Sequence, residues 1–157
     1  MGGPDFDGAG SAAPRRYRFL EDVAIADVAF EAWGPTLEEL FVAAADATTN
    51  TMAENLQAIE DRQRRALRLE EESADLLLYR LLEELVYFKD AEGLLLRVPE
   101  VRIHRQDGTL VLEAEARGEP LDPLRHRLQA DVKAVTLHRL RVEQTASGWE
   151  ASVVLDI

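Results

Sequence analysis

Two aspartates carry the clearest chemical potential in this sequence. Asp27 sits in "DVAIADVAF" and Asp156 in "GWEASVVLDI", and in both segments apolar and polar residues alternate so that the carboxylate lies on the face away from the apolar set. Two such carboxylates, joined by the terminal carboxylate of Ile157, compose an all-oxygen site for a hard cation: calcium, magnesium or manganese. Softer chemistry is excluded. The chain has no cysteine, hence no disulfide, thiolate metal site or cysteine nucleophile, and His104, His126 and His138 lack the close spacing of a zinc motif. Taken singly, each group has an ordinary explanation. A carboxylate near a strand end is commonly just solvated, and Lys133, one of only two lysines among 18 basic residues, sits at a strand start where the side chain commonly snorkels to water.

The elements that must position these groups follow from periodicity. From Ile25 to Trp33 the alternation sets Val28 and Phe30 on one face and Asp27 and Glu31 on the other; with the preceding "RYRFL" this reads as two short strands or one bent strand, ended by Gly34-Pro35. Thr36 with Glu39 makes a capping box, and Leu37, Leu40, Phe41 and Ala44 follow at helical spacing, which predicts a helix to about Thr49. Residues 59 to 71 read as a strand, on an imperfect alternation of Ala66, Leu67 and Leu69. Ser73 is the expected cap of a second helix, striped by Leu77, Leu78, Leu81, Leu82, Leu85 and Phe88 and closed by Gly93.

"LLLRVPEVRIHRQ" and "TLVLEAEARG" are joined by Asp107-Gly108, a hairpin signal, and the Pro-containing loop "EPLDPLRHRLQ" leads to a closing strand pair. The order β-β-α-β-α-β-β-β-β predicts an α+β fold, two helices packed on mostly antiparallel β-sheet in a single compact domain over residues 16–157. Residues 1–15, rich in Gly, Ala, Pro and Asp without a period, read as a disordered tail.

Pairing apolar with apolar faces restricts the register of the closing hairpin. A two-residue turn at Ser147-Gly148 places Asp156 opposite Arg139, and a four-residue turn places it opposite Leu137. Along a regular strand Lys133 then lies about 20 Å from the position facing Asp156, so the two read as separate elements. His138 shares the face of Leu140 and Val142, which predicts a buried histidine, whereas His126 in its Pro-bounded loop is expected to be available.

A formal charge of −12 on 157 residues argues against a broad nucleic-acid platform and favours a basic protein partner. No apolar run approaches the roughly 20 residues of a membrane span, and no signal-peptide core is present, so the expected location is cytoplasmic.

Several segments, in order, resemble one family. "DVKAVTLHRL" followed by "GWEASVVLDI" is similar to the VKAVT-y-H and terminal DI signatures of archease. "GPTLEELFVAAADA", "ADLLLYRLLEELVY" and "ARGEPLDPLRH" resemble that family's first helix, second helix and the loop before its lysine strand, so that the likeness covers residues 17 to 157.

The resemblance implies an α+β accessory protein, not itself an enzyme, of the GTP-dependent 3'-phosphate RNA-splicing ligase. Such a protein promotes ligase guanylylation and multiple turnover in tRNA splicing and RNA repair. It further implies a metal site on Asp27 and Asp156, with Ile157 an additional ligand, and a partner or nucleotide contact at Lys133. One departure is visible: Ala24-Ile25 stand where the family reads His-Thr, and Asp22 is the residue available to replace part of that chemistry. Two other classes remain in view. A metal-dependent hydrolase would use Asp27 and Asp156 with His126 or His138 as base, and a general folding chaperone or adaptor would need an exposed apolar patch, for which Trp33, Trp149 and Tyr87 are candidates that strand and helix spacing otherwise assigns to the core.

Overall fold

The computed structural model describes residues 15–21 and 27–157. The tail expected over residues 1–15 lies outside the described residues except for Arg15, as do the Ala24-Ile25 departure and Asp22.

The chain forms β1 (Tyr17–Leu20), β2 (Asp27–Gly34), α1 (Leu37–Met52), β3 (Gln63–Glu71), α2 (Ala74–Glu92), β4 (Leu94–Arg97), β5 (Val101–Gln106), β6 (Thr109–Pro120), a single-turn α3 (Pro123–His126), β7 (Ala134–Thr145) and β8 (Gly148–Asp156). This is the α+β architecture that periodicity predicts, with one strand more after α2. "LLLRVPEVRIHRQ" is two strands because Pro99, which has no N–H to offer a ladder, interrupts it. Both pieces pair with β6, β4 at its C-terminal end and β5 at its N-terminal end.

The strands make two four-stranded sheets, β1-β2-β8-β7 in one and β3-β6 with β4 and β5 in the other; every pairing is antiparallel. Each of the two long helices packs against both sheets, α1 on β2 and β8 and on β4 and β5, α2 on β7 and on β3, β4 and β6. The apolar stripe of α2 is the centre of the core, with Leu77, Leu78, Leu81 and Leu82 fully buried beside Phe30, Phe41 and Leu95.

Local signals explain most element ends. The Thr36 hydroxyl accepts the Glu39 N–H at 3.1 Å, and α1 runs three residues beyond the expected end. Ser73 occupies the cap position of α2, but its hydroxyl makes no capping bond, so the cap is positional only. Gly93 ends α2 at φ 65°. Asp107 and Gly108 take φ 53° and 80°, the left-handed pair that a two-residue hairpin requires. Gly118 has no alternative in size: a Cβ there would lie 1.8 Å from the Leu95 carbonyl oxygen.

Candidate functional site

The decisive feature is an irregularity in β7. The hairpin turns on Ala146-Ser147, with Thr145 opposite Gly148 and Arg141 opposite Ser152. The next pair is Thr136 opposite Val154, so five steps along β7 answer two along β8. The three extra residues loop out as a wide bulge in which Arg139 adopts φ 59°. Because three is odd, the bulge exchanges the faces of β7, and Val135 now points at the core opposite Leu155.

This corrects both expected registers. Asp156 faces Ala134, not Arg139 or Leu137, and the Lys133 N–H donates to the Asp156 carbonyl at 2.8 Å. The separation inferred for a straight strand fails because the strand bends. On the other side of β8, Asp156 is directly opposite Asp27 of β2. Asp27, Asp156 and Lys133 therefore meet at one end of the first sheet, the aspartates half-buried and Lys133 exposed.

Directly opposed residues of an antiparallel pair project to the same face with Cβ atoms about 5 Å apart, and like charges so placed repel. A cation between them removes that repulsion. Thr136 lies on the same face one row along, and its hydroxyl is buried without a hydrogen-bond partner among the described residues. The available donors are all oxygen, which fits a hard cation. Among the described residues, no three His, Asp or Glu side chains converge as a metal cage, so the carboxylates stand as a pair. Ile157 follows the last residue of β8 and packs its side chain against the core.

Helix α2 holds this corner in a way periodicity did not reveal. Lys89 is almost fully buried; its ammonium donates to the Val132 carbonyl at 2.8 Å and pairs with Asp131 and Asp90. Burial favours the neutral amine, but the bonds and charges of Asp131 and Asp90 outweigh it and raise the Lys89 pKa. Glu83 accepts the Val135 N–H at 3.0 Å. A signal was present in the sequence: Lys89 continues the Leu78, Leu81, Leu85 row one turn on, where a cation on an apolar stripe needs a partner.

The two histidines exchange their expected places. His126 is fully buried and His138 is exposed within the bulge. The Asp122 N–H donates to His126 Nδ1 at 2.8 Å, which leaves the proton on Nε2 to donate to Glu119 at 2.9 Å. Glu119, 1% exposed, also accepts from the Glu60 N–H at 2.8 Å and from Arg125. Burial alone raises the Glu119 pKa; the Arg125 and His126 bonds, the Glu60 N–H and the Arg125 charge together reverse this and bring it down to about 2. This cluster ties the loop after β6 to the segment before β3. It offers no accessible base.

Trp33 and Tyr87, which spacing assigned to the core, are 38% and 55% exposed, while Trp149 is half-buried against the core. Two surface clefts, of about 520 and 1040 Å³, lie elsewhere, the first beside Trp33 and Arg141, the second between α1 and the start of β5. Neither is lined by Asp27, Asp156 or Lys133. The carboxylate pair and lysine stand on an open sheet end, which suits contact with another macromolecule better than enclosure of a small substrate. No helix among the described residues is long and apolar enough to cross a membrane.

Comparison with known proteins agrees with this architecture. Residues 17–157 match the Archease protein family (MTH1598/TM1083). A protein archease of Pyrococcus furiosus is 38% identical over 133 residues, 84% of this chain and 93% of the relative; one of Methanosarcina mazei is 34% identical over 143 residues, 91% and 97%. The solution structure of Methanobacterium thermoautotrophicum protein 1598 superimposes with a TM-score of 0.79 at 32% identity, covering 92% of this chain and all of that one. A Thermotoga maritima crystal structure, described as an archease and possible chaperone, shares the fold with a TM-score of 0.57 at 19% identity, covering 85% and 93%.

Proposed function

Because this chain belongs to the archease family, we propose that it is an accessory protein of a GTP-dependent, 3'-phosphate RNA-splicing ligase, promoting the ligase's guanylylation and its multiple turnover in tRNA splicing or RNA repair without performing ligation itself. The observation that carries the reading is the meeting of Asp27, Asp156 and Lys133 on an exposed sheet end.

In this reading Asp27 and Asp156 hold a calcium, magnesium or manganese ion, with Ile157 an additional oxygen ligand, and the ion supplies positive charge for phosphate oxygens. Lys133 places its ammonium on a nucleotide phosphate or on the partner. A charge of −12 complements the basic surface that an RNA-handling enzyme presents and disfavours direct, broad RNA binding by this chain, which works in the cytoplasm. Of the two bases the hydrolase alternative would use, His126 is fully buried, while His138 is exposed within the bulge.

The test is multiple-turnover ligation of 3'-phosphate RNA at limiting ligase with GTP, with and without this protein. Stimulation is expected from the native chain and not from folded Lys133→Ala or Asp156→Ala. Calorimetric binding of manganese is expected to weaken in Asp156→Ala and Asp27→Ala. Full stimulation by both Lys133→Ala and Asp156→Ala would remove the site assignment.

A further inference from the structure

Lys133 lies, with Ala134, between two backbone anchors that both come from α2. On its N-terminal side Lys89 holds the Val132 carbonyl and Asp131; on its C-terminal side, two residues on, Glu83 holds the Val135 N–H. Lys133 itself hangs from the Asp156 carbonyl. The anchors are nearly two helical turns apart on α2, and Tyr79, one turn before Glu83, lies close enough that the Glu83 charge adds to burial in raising its pKa. Without them the segment before β7 would end in an exposed chain next to a three-residue bulge, where fraying is the ordinary outcome. The Asp156 bond alone fixes one N–H; the α2 bonds fix the peptides on both sides.

We propose that Glu83 and Lys89 are positioning residues that set the backbone of Lys133 against the Asp27–Asp156 pair. This deepens the ligase-activator reading and rests on it for its functional consequence, while its structural content stands on the isolated protein.

Two measurements separate those layers. In the first, amide hydrogen exchange of the isolated chain is followed at Lys133 and Val135, with β2–β8 amides as internal reference. Glu83→Ala is expected to speed exchange at both positions at least tenfold with the reference unchanged, and Glu83→Gln, which keeps an acceptor oxygen, is expected to restore protection. Unchanged exchange in Glu83→Ala and Lys89→Met would overturn the proposal whatever the ligase does.

In the second, maximal ligase stimulation is measured at saturating protein for Glu83→Ala, Lys133→Ala and the double variant. Misplacing a contact group lowers a rate by on the order of tenfold or more, so Glu83→Ala is expected to approach Lys133→Ala. The double variant is expected to match Lys133→Ala alone, since both changes remove one interaction. Independent, multiplying losses would mean that Glu83 acts through overall stability and would sink the positioning role. A native chain that gives no stimulation would refute the ligase-activator reading, and a Lys133→Ala chain that stimulates fully would refute the role of Lys133 in it; either result leaves the exchange measurement to decide the backbone anchoring.

Discussion

Glu119 offers a sharp test of how the loop between β6 and β7 is held. Its carboxylate is 1% exposed and accepts from Arg125, His126 and the Glu60 N–H, which bring its pKa from an ordinary 4.5 down to about 2. At about 1.4 kcal/mol for each unit of pKa, the folded state gains roughly 3 kcal/mol from the ionised form relative to the protonated one. Because the folded pKa lies below the unfolded one, this stability is complete above about pH 5 and disappears as the pH falls from 4.5 through about 2.

Glu119→Gln keeps the shape, removes the charge and turns one oxygen acceptor into an NH₂ facing donors. At pH 7 it is expected to lose about 3 kcal/mol, the size associated with breaking a buried ion pair. Urea unfolding of both proteins at pH 7, 5, 4 and 3 gives the difference directly, with the other carboxylates cancelling between them. The gap should be widest at pH 7 and 5 and shrink by pH 3. A constant gap would refute the ionic account and leave only packing, and a gap that widened on acidification would reverse the assigned sign.

Two stability predictions follow from backbone detail. Thr36→Ala removes the hydroxyl that caps α1 and is expected to destabilise the fold by about 1 kcal/mol, read from the urea midpoint; no change would mean that the capping bond contributes nothing. Gly118→Ala drives a methyl group into the Leu95 carbonyl, a contact of 1.8 Å that only separation of β4 from β6 relieves, so a loss of about 3 kcal/mol or more is expected in thermal or chemical unfolding. A native-like midpoint for that variant would show that β4 is not held as described.

The predictions for Lys133, Asp156, Asp27, Glu83 and Lys89 depend on a corner whose parts differ in how readable they were. Asp27 and Asp156 were visible as carboxylates on the polar faces of alternating strands, and pairing of β2 with β8 in direct register puts them opposite one another. Lys133 was visible as an unusual residue and, through the resemblance, as a contact group, but not as a neighbour of Asp156. Its contact with Asp156 depends on the bulge between Thr136 and Arg141, and no pattern in "AVTLHRLRVEQT" announces a loop-out, because a bulge is a property of two strands and not of one. The histidines failed for a related reason. His138 was assigned to the core by counting alternate residues through the bulge, and His126 was assigned to solvent because the chemistry that buries it, Glu119 with the Glu60 and Asp122 amides, is assembled from both sides of the fold.

By itself the sequence determined what depends on neighbours along the chain: two helices from repeats of three and four, the Thr36 cap, the Gly93 stop, the Asp107-Gly108 turn and an α+β order of elements. These are decided within one or two turns of backbone, where spacing and geometry are nearly the same thing. Tertiary structure alone decided that the strands divide into two sheets around the helices, that β7 bulges by an odd number of residues, and that α2 reaches across with Lys89 and Glu83 to either side of Lys133. The α2 contacts join residues 43 and 52 positions apart and the bulge is a mismatch between two paired strands, so these outcomes are chosen by which faces can be buried together, and that choice is made only when the whole core closes.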